Sequence, residues 1–368
     1  MQELTLEEFA AASVANTDGV VSKLNEAHVV ARFQERAIRT GKVGVCLAAG
    51  QGSRFISDTP KVLHAFRGKA LVLHAVDAVL DAGIPLVLVV GVAMDQVMEC
   101  VSRHVENKFD KGLEGRVVFV HQPRPLGTGH AVYMASEVLP KEFPGDVIVV
   151  YADNPGVDSN LLNALAKFHD TGKKTSKLSA SILSGSRAAV GLGAANYGRL
   201  VRCPKSEHER QKVSEDAAAQ DSQLRHRVLD IVERKYIDSL PDEKGFVVTY
   251  EYTSPGLQRA GSKRKIESVS FSKQDLLELD EFNSGIVLAQ AKIYFEVLAH
   301  VRAAQTKKDP PKFEFYATDF VKGMVARGLI VDAWKIDDAL LWRLEGANTV
   351  EELAELETRF KCKEAICE

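Results

Sequence analysis

A chain of 368 residues with 45% hydrophobic and 26% charged residues has the make-up of an ordinary soluble globular protein, which excludes disordered, collagen-like and coiled-coil classes. Lys and Arg number 47 against 50 Asp and Glu, a formal net charge of -3, so no basic field serves general nucleic-acid binding or attraction to anionic lipid. The longest apolar stretch, Leu86 to Met94, falls far short of the roughly 20 residues of a bilayer span. The N-terminus lacks the basic and apolar regions of a secretory signal, and five scattered cysteines without Cys-x-x-Cys suggest neither a disulfide framework nor a zinc knuckle. A cytoplasmic protein of one large domain or two modest ones is expected.

Residues 1–40 read as helical, with a capping-box pattern at Thr5 to Glu8, helix-like spacing of Leu24, Val29, Val30 and Phe33, and a break near Asn16 to Gly19. From Val43 the texture alternates. Val43–Ala49, Leu86–Val90, Arg116–Val120 and Val147–Tyr151 predict buried strands, and Leu71–Ala82, Asp95–Val105 and Thr128–Leu139 predict the helices between them. Such β-α-β-α repetition implies an α/β fold with a doubly wound, mostly parallel sheet, whose ligands bind beyond the carboxyl ends of the strands. Beyond Ala180 the spacing suggests a smaller antiparallel region, with strands around Ser179–Leu183, Gly198–Arg202, Val228–Glu233 and Ser284–Leu288. Two polar segments, 204–227 and 240–279, read as surface insertions, the second carrying the basic cluster Ser262 to Lys265.

The loop after the first strand runs Leu47-Ala-Ala-Gly-Gln-Gly-Ser-Arg54, then Pro60-Lys61. Gly50 and Gly52 allow backbone N–H groups to approach a ligand, and Arg54 and Lys61 add positive charge, a combination suited to a polyphosphate. The dinucleotide fingerprint needs a third glycine where Phe55 stands, and no Gly-Lys pair in the chain is followed by Ser or Thr, which excludes a P-loop.

Further segments follow in order: Gln122 to Val132 around Gly127-Thr128-Gly129-His130, Tyr151-Ala-Asp-Asn-Pro155, Tyr197-Gly-Arg199, Ile231-Val-Glu-Arg-Lys235, Glu281-Phe-Asn-Ser-Gly285, Glu314-Phe-Tyr-Ala-Thr-Asp319 and Glu345-Gly-Ala-Asn348. Together with the loop, they resemble the sugar-1-phosphate nucleotidyltransferases, most closely the uridyltransferase part of the bacterial N-acetylglucosamine-1-phosphate uridyltransferases. The resemblance covers about residues 43–355. It implies a Rossmann-like nucleotidyltransferase domain over 41–355, preceded by the helical extension 1–40 and followed by a helical tail, 356–368. The implied reaction is Mg²⁺-dependent transfer from UTP to a sugar 1-phosphate, with neither nucleic acid nor membrane as partner.

The resemblance also implies site residues. Arg54 and Lys61 would hold the triphosphate and stabilise the leaving pyrophosphate, cradled by Leu47, Ala48, Ala49, Gly50, Gly52 and Ser53. Gln122, Gly127 and Thr128 would read the base, with helix capping as an alternative for Thr128. Asp153 and Asn348 would hold Mg²⁺, with capping of the following helix as the alternative for Asn348. Gly198, Glu233, Asn283, Tyr316 and Thr318 would surround the sugar. Departures fall at Tyr236, where the family usually has aspartate, at Ala152, which replaces glycine, and at Asn154, which replaces an aliphatic residue; they leave the sugar open. No hexapeptide period is found, so neither the acetyltransferase part of the bifunctional relatives nor its trimer is expected. Two other readings remain: a same-fold transferase using CTP or another triphosphate with a different phosphorylated acceptor, and a non-catalytic nucleotide-sugar binding module.

Overall fold

The computed structural model describes residues 24–50, 52, 54–140, 142–190, 197–202, 227–242, 245–252, 265–306 and 316–367. They fall into two compact units interleaved along the chain, one of Met1–Ala166, Gly285–Ala317 and Trp342–Glu368, the other of Lys167–Ser284 and Thr318–Leu341.

The first unit carries helix α1 (Ala27–Thr40), strand β1 (Lys42–Ala48), α2 (Leu71–Asp81), β2 (Leu86–Val90), α3 (Met94–Lys108), β3 (Val117–His121), α4 (Thr128–Met134) and β4 (Asp146–Tyr151). β1 lies between β4 and β2 and is parallel to both, and β3 continues the parallel order beside β2. Residues 287–290 of strand Glu281–Gln290 add an antiparallel member beside β4. The strand interiors are apolar and dominated by Val, Leu and Ile because parallel strands are covered on both faces; every residue of β2 is buried.

Local chemistry sets the boundaries. α1 buries Phe33 and Ala37 one turn apart and ends at Gly41, whose φ of 64° lets its N–H donate to Ala37 O at 2.9 Å. Asn25 supplies both halves of an amide pair to strand β3: Phe119 N–H donates to its Oδ1 at 2.8 Å and its Nδ2 donates to Phe119 O at 2.7 Å. Backbone groups that an outer strand would leave open are thus partly closed. The helix predicted over Thr128–Leu139 stops at Met134 and tightens into a 3₁₀ turn, Ala135–Val138. Ser136 Oγ bonds back to Tyr133 O at 2.7 Å, and Pro140 disfavours helical geometry in the residue before it. Positions 1–23, including the break foreseen near Asn16 to Gly19, lie outside the described residues.

In the second unit, Arg199–Arg202 and Val228–Val232 pair antiparallel, as expected. Leu178–Ser186 differs: it runs parallel to Ile330–Lys335, a strand that the sequence reading did not mark. Its neighbour lies some 150 positions away, so no local turn signal announced the pairing. The polar stretch 240–279 contains an antiparallel ladder of Phe246–Tyr252 with Lys265–Phe271. Phe246 and Val248 are buried and Val247 is exposed, the period of two that a one-sided ladder requires. Of segment 204–227, residues 204–226 lie outside the described residues, as do Ser262 to Arg264.

The closing helix Val350–Cys367 begins before the predicted tail. Its Leu353, Leu356 and Phe360 join Phe55, Phe66, Leu71 and Ala347 in one apolar cluster, so this segment belongs to the core of the first unit. Among the described residues, no helix is long and apolar enough to cross a membrane.

Candidate active site

β1 and β4 are neighbours that run the same way, with Leu47 opposite Tyr151, so the loops that follow them emerge at one edge of the sheet. The loop after β1 depends on Gly52. Its φ is +58°, and a Cβ there would stand 3.2 Å from Lys61 Cβ, so a side chain is unfavourable on both counts. Phe55 N–H closes the turn onto Gly52 O at 2.6 Å. The buried Phe55 ring then meets His64 edge to face with centroids 4.7 Å apart, leaving Arg54 exposed. Pro60 precedes the 3₁₀ turn Lys61–Leu63.

Two polar pairs cross the cavity so formed. Lys61 Nζ donates to Asp153 Oδ2 at 2.5 Å, and Arg54 donates to Asn348 Oδ1 at 3.0 Å. Asp153 stands just beyond β4. Asn348 precedes the closing helix, and the cap is supplied by its neighbour: Thr349 Oγ1 accepts from Glu352 N–H at 3.1 Å, while the Glu352 carboxylate accepts from Asn348 N–H at 2.6 Å. These bonds occupy the Thr349 hydroxyl and the Glu352 carboxylate and leave the Asn348 carboxamide for the cavity. Behind Asp153, burial and then the Asp153 carboxylate push the Cys46 thiol well above its usual range, which keeps it protonated and inert.

The third wall comes from β3 and the turn into α4. Gly127 adopts φ 102° and ψ 171°, a region essentially reserved for glycine, and its O accepts from Gln122 Nε2 at 3.1 Å. The same amide nitrogen lies 3.1 Å from His130 Nδ1. Burial, reinforced by the Arg302 charge, lowers His130 to about 4, so its neutral ring can accept that hydrogen bond near pH 7. Thr128 is the first residue of α4, and its hydroxyl accepts from Ala317 N–H at 2.9 Å; it does not cap its own helix.

Leu47, Ala48, Ala49, Gly50, Gly52, Arg54, Lys61, Gln122, Gly127, Thr128, Asp153 and Asn348 line one cavity of about 350 Å³, within the size range of small-molecule sites. Ser53 lies outside the described residues. Val62, Pro125, Ala131 and Tyr151 also line the cavity; Tyr151 stood in a quoted motif without an assigned role. Phosphate oxygens would meet the Arg54 and Lys61 cations here, and Asp153 and Asn348 offer the hard oxygen donors that suit a divalent cation retaining water and phosphate ligands. Among the described residues no cluster of three His, Cys, Asp or Glu side chains could hold a metal, so such an ion would take its remaining ligands from nucleotide and water.

Of the residues expected around a sugar, four belong to the second unit. Thr318 Oγ1 donates to Glu233 Oε1 at 2.7 Å, Asn283 N–H donates to Gly198 O at 3.0 Å, and a Cβ on Gly198 would stand 3.3 Å from Glu233 Oε2. Gly198, Glu233, Asn283 and Thr318 thus form one connected group. Tyr316 belongs to the first unit. Tyr236 meets Phe246 of the polar-segment ladder edge to face at 5.8 Å, which accounts physically for an aromatic residue at that position.

A parallel α/β sheet with a glycine-rich, cation-bearing loop facing paired oxygen donors is suited to hold the phosphates of a nucleotide together with a divalent cation. Residues 44–211 match the MobA-like NTP transferase domain, so this segment is similar to that nucleotidyltransferase family. The chain is 29% identical over 314 residues to the bifunctional protein GlmU of Pelotomaculum thermopropionicum, a match covering 85% of this chain and 50% of the relative. It is 30% identical over 284 residues to the GlmU protein of Caulobacter vibrioides, covering 76% and 44%. The chain therefore spans about half the length of the curated relatives it matches. Among solved structures, a UDP-glucose pyrophosphorylase complexed with UDP-glucose superposes with a TM-score of 0.51 at 16% identity, covering 88% of this chain and 99% of that one; the likeness shows a shared fold.

Proposed function

We propose that the protein catalyses divalent-metal-dependent transfer of a uridylyl group from UTP to a sugar 1-phosphate, with N-acetylglucosamine 1-phosphate as acceptor and Mg²⁺ as metal. A phosphate oxygen of the sugar attacks the α-phosphorus, a bond to that phosphorus forms as its bond to the β-phosphate bridge breaks, and pyrophosphate leaves. The convergence of Arg54, Lys61, Asp153 and Asn348 on one cavity carries this reading. Such a transfer needs alignment and neutralisation of phosphate charge more than covalent participation by the protein. Arg54 and Lys61 neutralise the charge growing on the departing pyrophosphate, and Asp153 and Asn348 hold the metal, which screens the phosphates when bound.

Gln122, with its amide nitrogen engaged by Gly127 O, directs its carbonyl at the N3–H of uracil, and the backbone at Gly127 and Thr128 borders the base. The Glu233–Thr318 pair with Gly198 and Asn283 receives sugar hydroxyl and N-acetyl groups. The motif resemblance to the N-acetylglucosamine-1-phosphate uridyltransferases supports UTP and an amino-sugar phosphate, and the likeness to the GlmU relatives extends over most of this chain.

The test measures pyrophosphate release with UTP, CTP, GTP, ATP and dTTP against N-acetylglucosamine, glucose and galactose 1-phosphates and phosphocholine, with and without Mg²⁺. UTP with N-acetylglucosamine 1-phosphate should give the highest kcat/KM, and EDTA should abolish it. Turnover with CTP and phosphocholine but none with UTP and any sugar phosphate would replace this reading with that of a cytidylyltransferase. No turnover in any combination, with tight binding of a UDP-sugar, would identify a binding module.

A further inference from the structure

Asn154 directly follows Asp153. It is 7% exposed and does not line the cavity. Its Nδ2 donates to Leu344 O at 3.0 Å across 190 positions of sequence, and its backbone N–H donates to Tyr151 O at 3.3 Å. The two chain segments close together along a seam on either side of that bond. A Cβ on Gly346 would stand 2.9 Å from Asp153 O, and one on Gly156 would stand 2.6 Å from Arg343 Cα; Arg343 also pairs with Asp158. The backbone that carries Asp153 is thereby tied to the backbone that reaches Asn348 four residues after Leu344.

We propose that Asn154 is a positioning residue that sets the separation of Asp153 and Asn348, so that the two oxygens take up a divalent cation together with the nucleotide phosphates. The inference rests on the metal-dependent reading above. Leu344 O accepts from Asn154 a hydrogen bond that an aliphatic side chain at 154 could not donate, and losing a buried hydrogen bond is unfavourable. An aliphatic contact can slide along its neighbour, whereas a hydrogen bond fixes distance and direction. Mg²⁺ tolerates little departure from octahedral geometry, and outer partners that orient metal ligands commonly change metal affinity by about 10- to 100-fold. Asn154 therefore acts on metal affinity through the seam, with no contact to substrate.

Mn²⁺ serves as a paramagnetic probe in the 368-residue chain saturated with UTP. Its affinity is read from the water-proton relaxation enhancement above that of Mn²⁺ and UTP alone, beside the Mg²⁺ dependence of turnover. N154V should weaken Mn²⁺ binding about tenfold, some 1.4 kcal/mol, and raise the half-saturating Mg²⁺ concentration by the same factor, with kcat at saturating Mg²⁺ changed less than twofold. G346A, which forces Asp153 O away from the same segment, should act in the same direction and carries the test alone if N154V does not fold. V101A, in the fully buried face of α3, lowers stability elsewhere and should leave the Mn²⁺ affinity at its wild-type value. Wild-type affinity in N154V and G346A, or an equal loss in V101A, would overturn the positioning role alone. Wild-type protein that holds no Mn²⁺ beside UTP would overturn the functional reading and this inference with it.

Discussion

At the scale of single residues, Lys61 and Asp153 pose the sharpest test. The 2.5 Å pair joins the cation proposed to meet phosphate with the carboxylate proposed to meet metal, so binding of the metal–nucleotide complex must exchange one set of partners for the other. Lys61→Ala removes the cation and leaves the carboxylate in place. Loss of a group that stabilises transition-state charge commonly lowers turnover by about 10²- to 10³-fold, and that drop in kcat is expected with Mg²⁺ still required, measured by pyrophosphate release. Turnover within threefold of wild type would remove Lys61 from the reaction. Gly127 invites a second substitution. Its φ of 102° and ψ of 171° are open to alanine only at a cost of about 1–3 kcal/mol, and the strained turn carries the carbonyl that orients Gln122. Gly127→Ala should raise KM for UTP about tenfold or more while kcat changes little, and an unchanged KM would separate this turn from nucleotide binding. Gly50, Gly52, Arg54 and Lys61 were legible in sequence because the loop brings its chemistry together in fifteen consecutive residues. The geometry of Asn348 was harder to read, since Asn348 and Thr349 are both good caps; the spacing from Thr349 to Glu352 is the signature that decides between them.

At the scale of elements, α2 and α3 are tied by one carboxylate. Asp77 on α2 accepts from Lys69 at 2.6 Å, from Lys108 at 2.8 Å and from His104 at 2.8 Å, and Lys108 also reaches Asp81. Burial opposes ionisation, but the hydrogen bonds from His104, Lys108 and Lys69 outweigh it and hold Asp77 at about 2. Its acidity is thus greater in the folded chain than in the unfolded one, so the ionised network stabilises the fold above about pH 4, and that stabilisation is lost as pH falls toward 2. Asp77→Asn should cost about 2 kcal/mol at pH 7 in urea unfolding, and the difference from wild type should shrink at pH 3. A difference that stays constant between those two values would assign the loss to packing. Asp77, His104 and Lys108 were visible in sequence, but their meeting was not, because it depends on α3 returning beside α2. The same limit hid the parallel pairing of Leu178–Ser186 with Ile330–Lys335: periodicity identifies a strand, whereas its partner is chosen by tertiary packing.

At the scale of the whole molecule, the closing helix connects distant parts of the chain to the nucleotide loop. Phe360 meets Phe66 edge to face at 5.0 Å and Trp342 at 4.5 Å, within the cluster that contains Phe55. Leu353, Leu356 and Phe360 recur at helical spacing amid Glu, Arg and Lys, so an amphipathic helix could be read from the sequence; the surface it covers could not, because nothing local in those residues names Phe55 and Phe66 as partners. Truncating a buried phenylalanine typically costs about 3–5 kcal/mol, so Phe360→Ala should lower the unfolding free energy by that order. The effect should extend to function, because Phe55 is adjacent to Arg54 and its burial holds one end of the glycine loop. A loosened loop presents Arg54 to the phosphates for a smaller fraction of the time, which weakens nucleotide binding in proportion. Phe360→Ala, assayed well below its unfolding temperature, should therefore raise KM for UTP several-fold, whereas V101A, buried in α3 away from this cluster, should leave KM unchanged. Equal KM values for the two variants would show that the cluster holds the fold together without shaping the nucleotide loop.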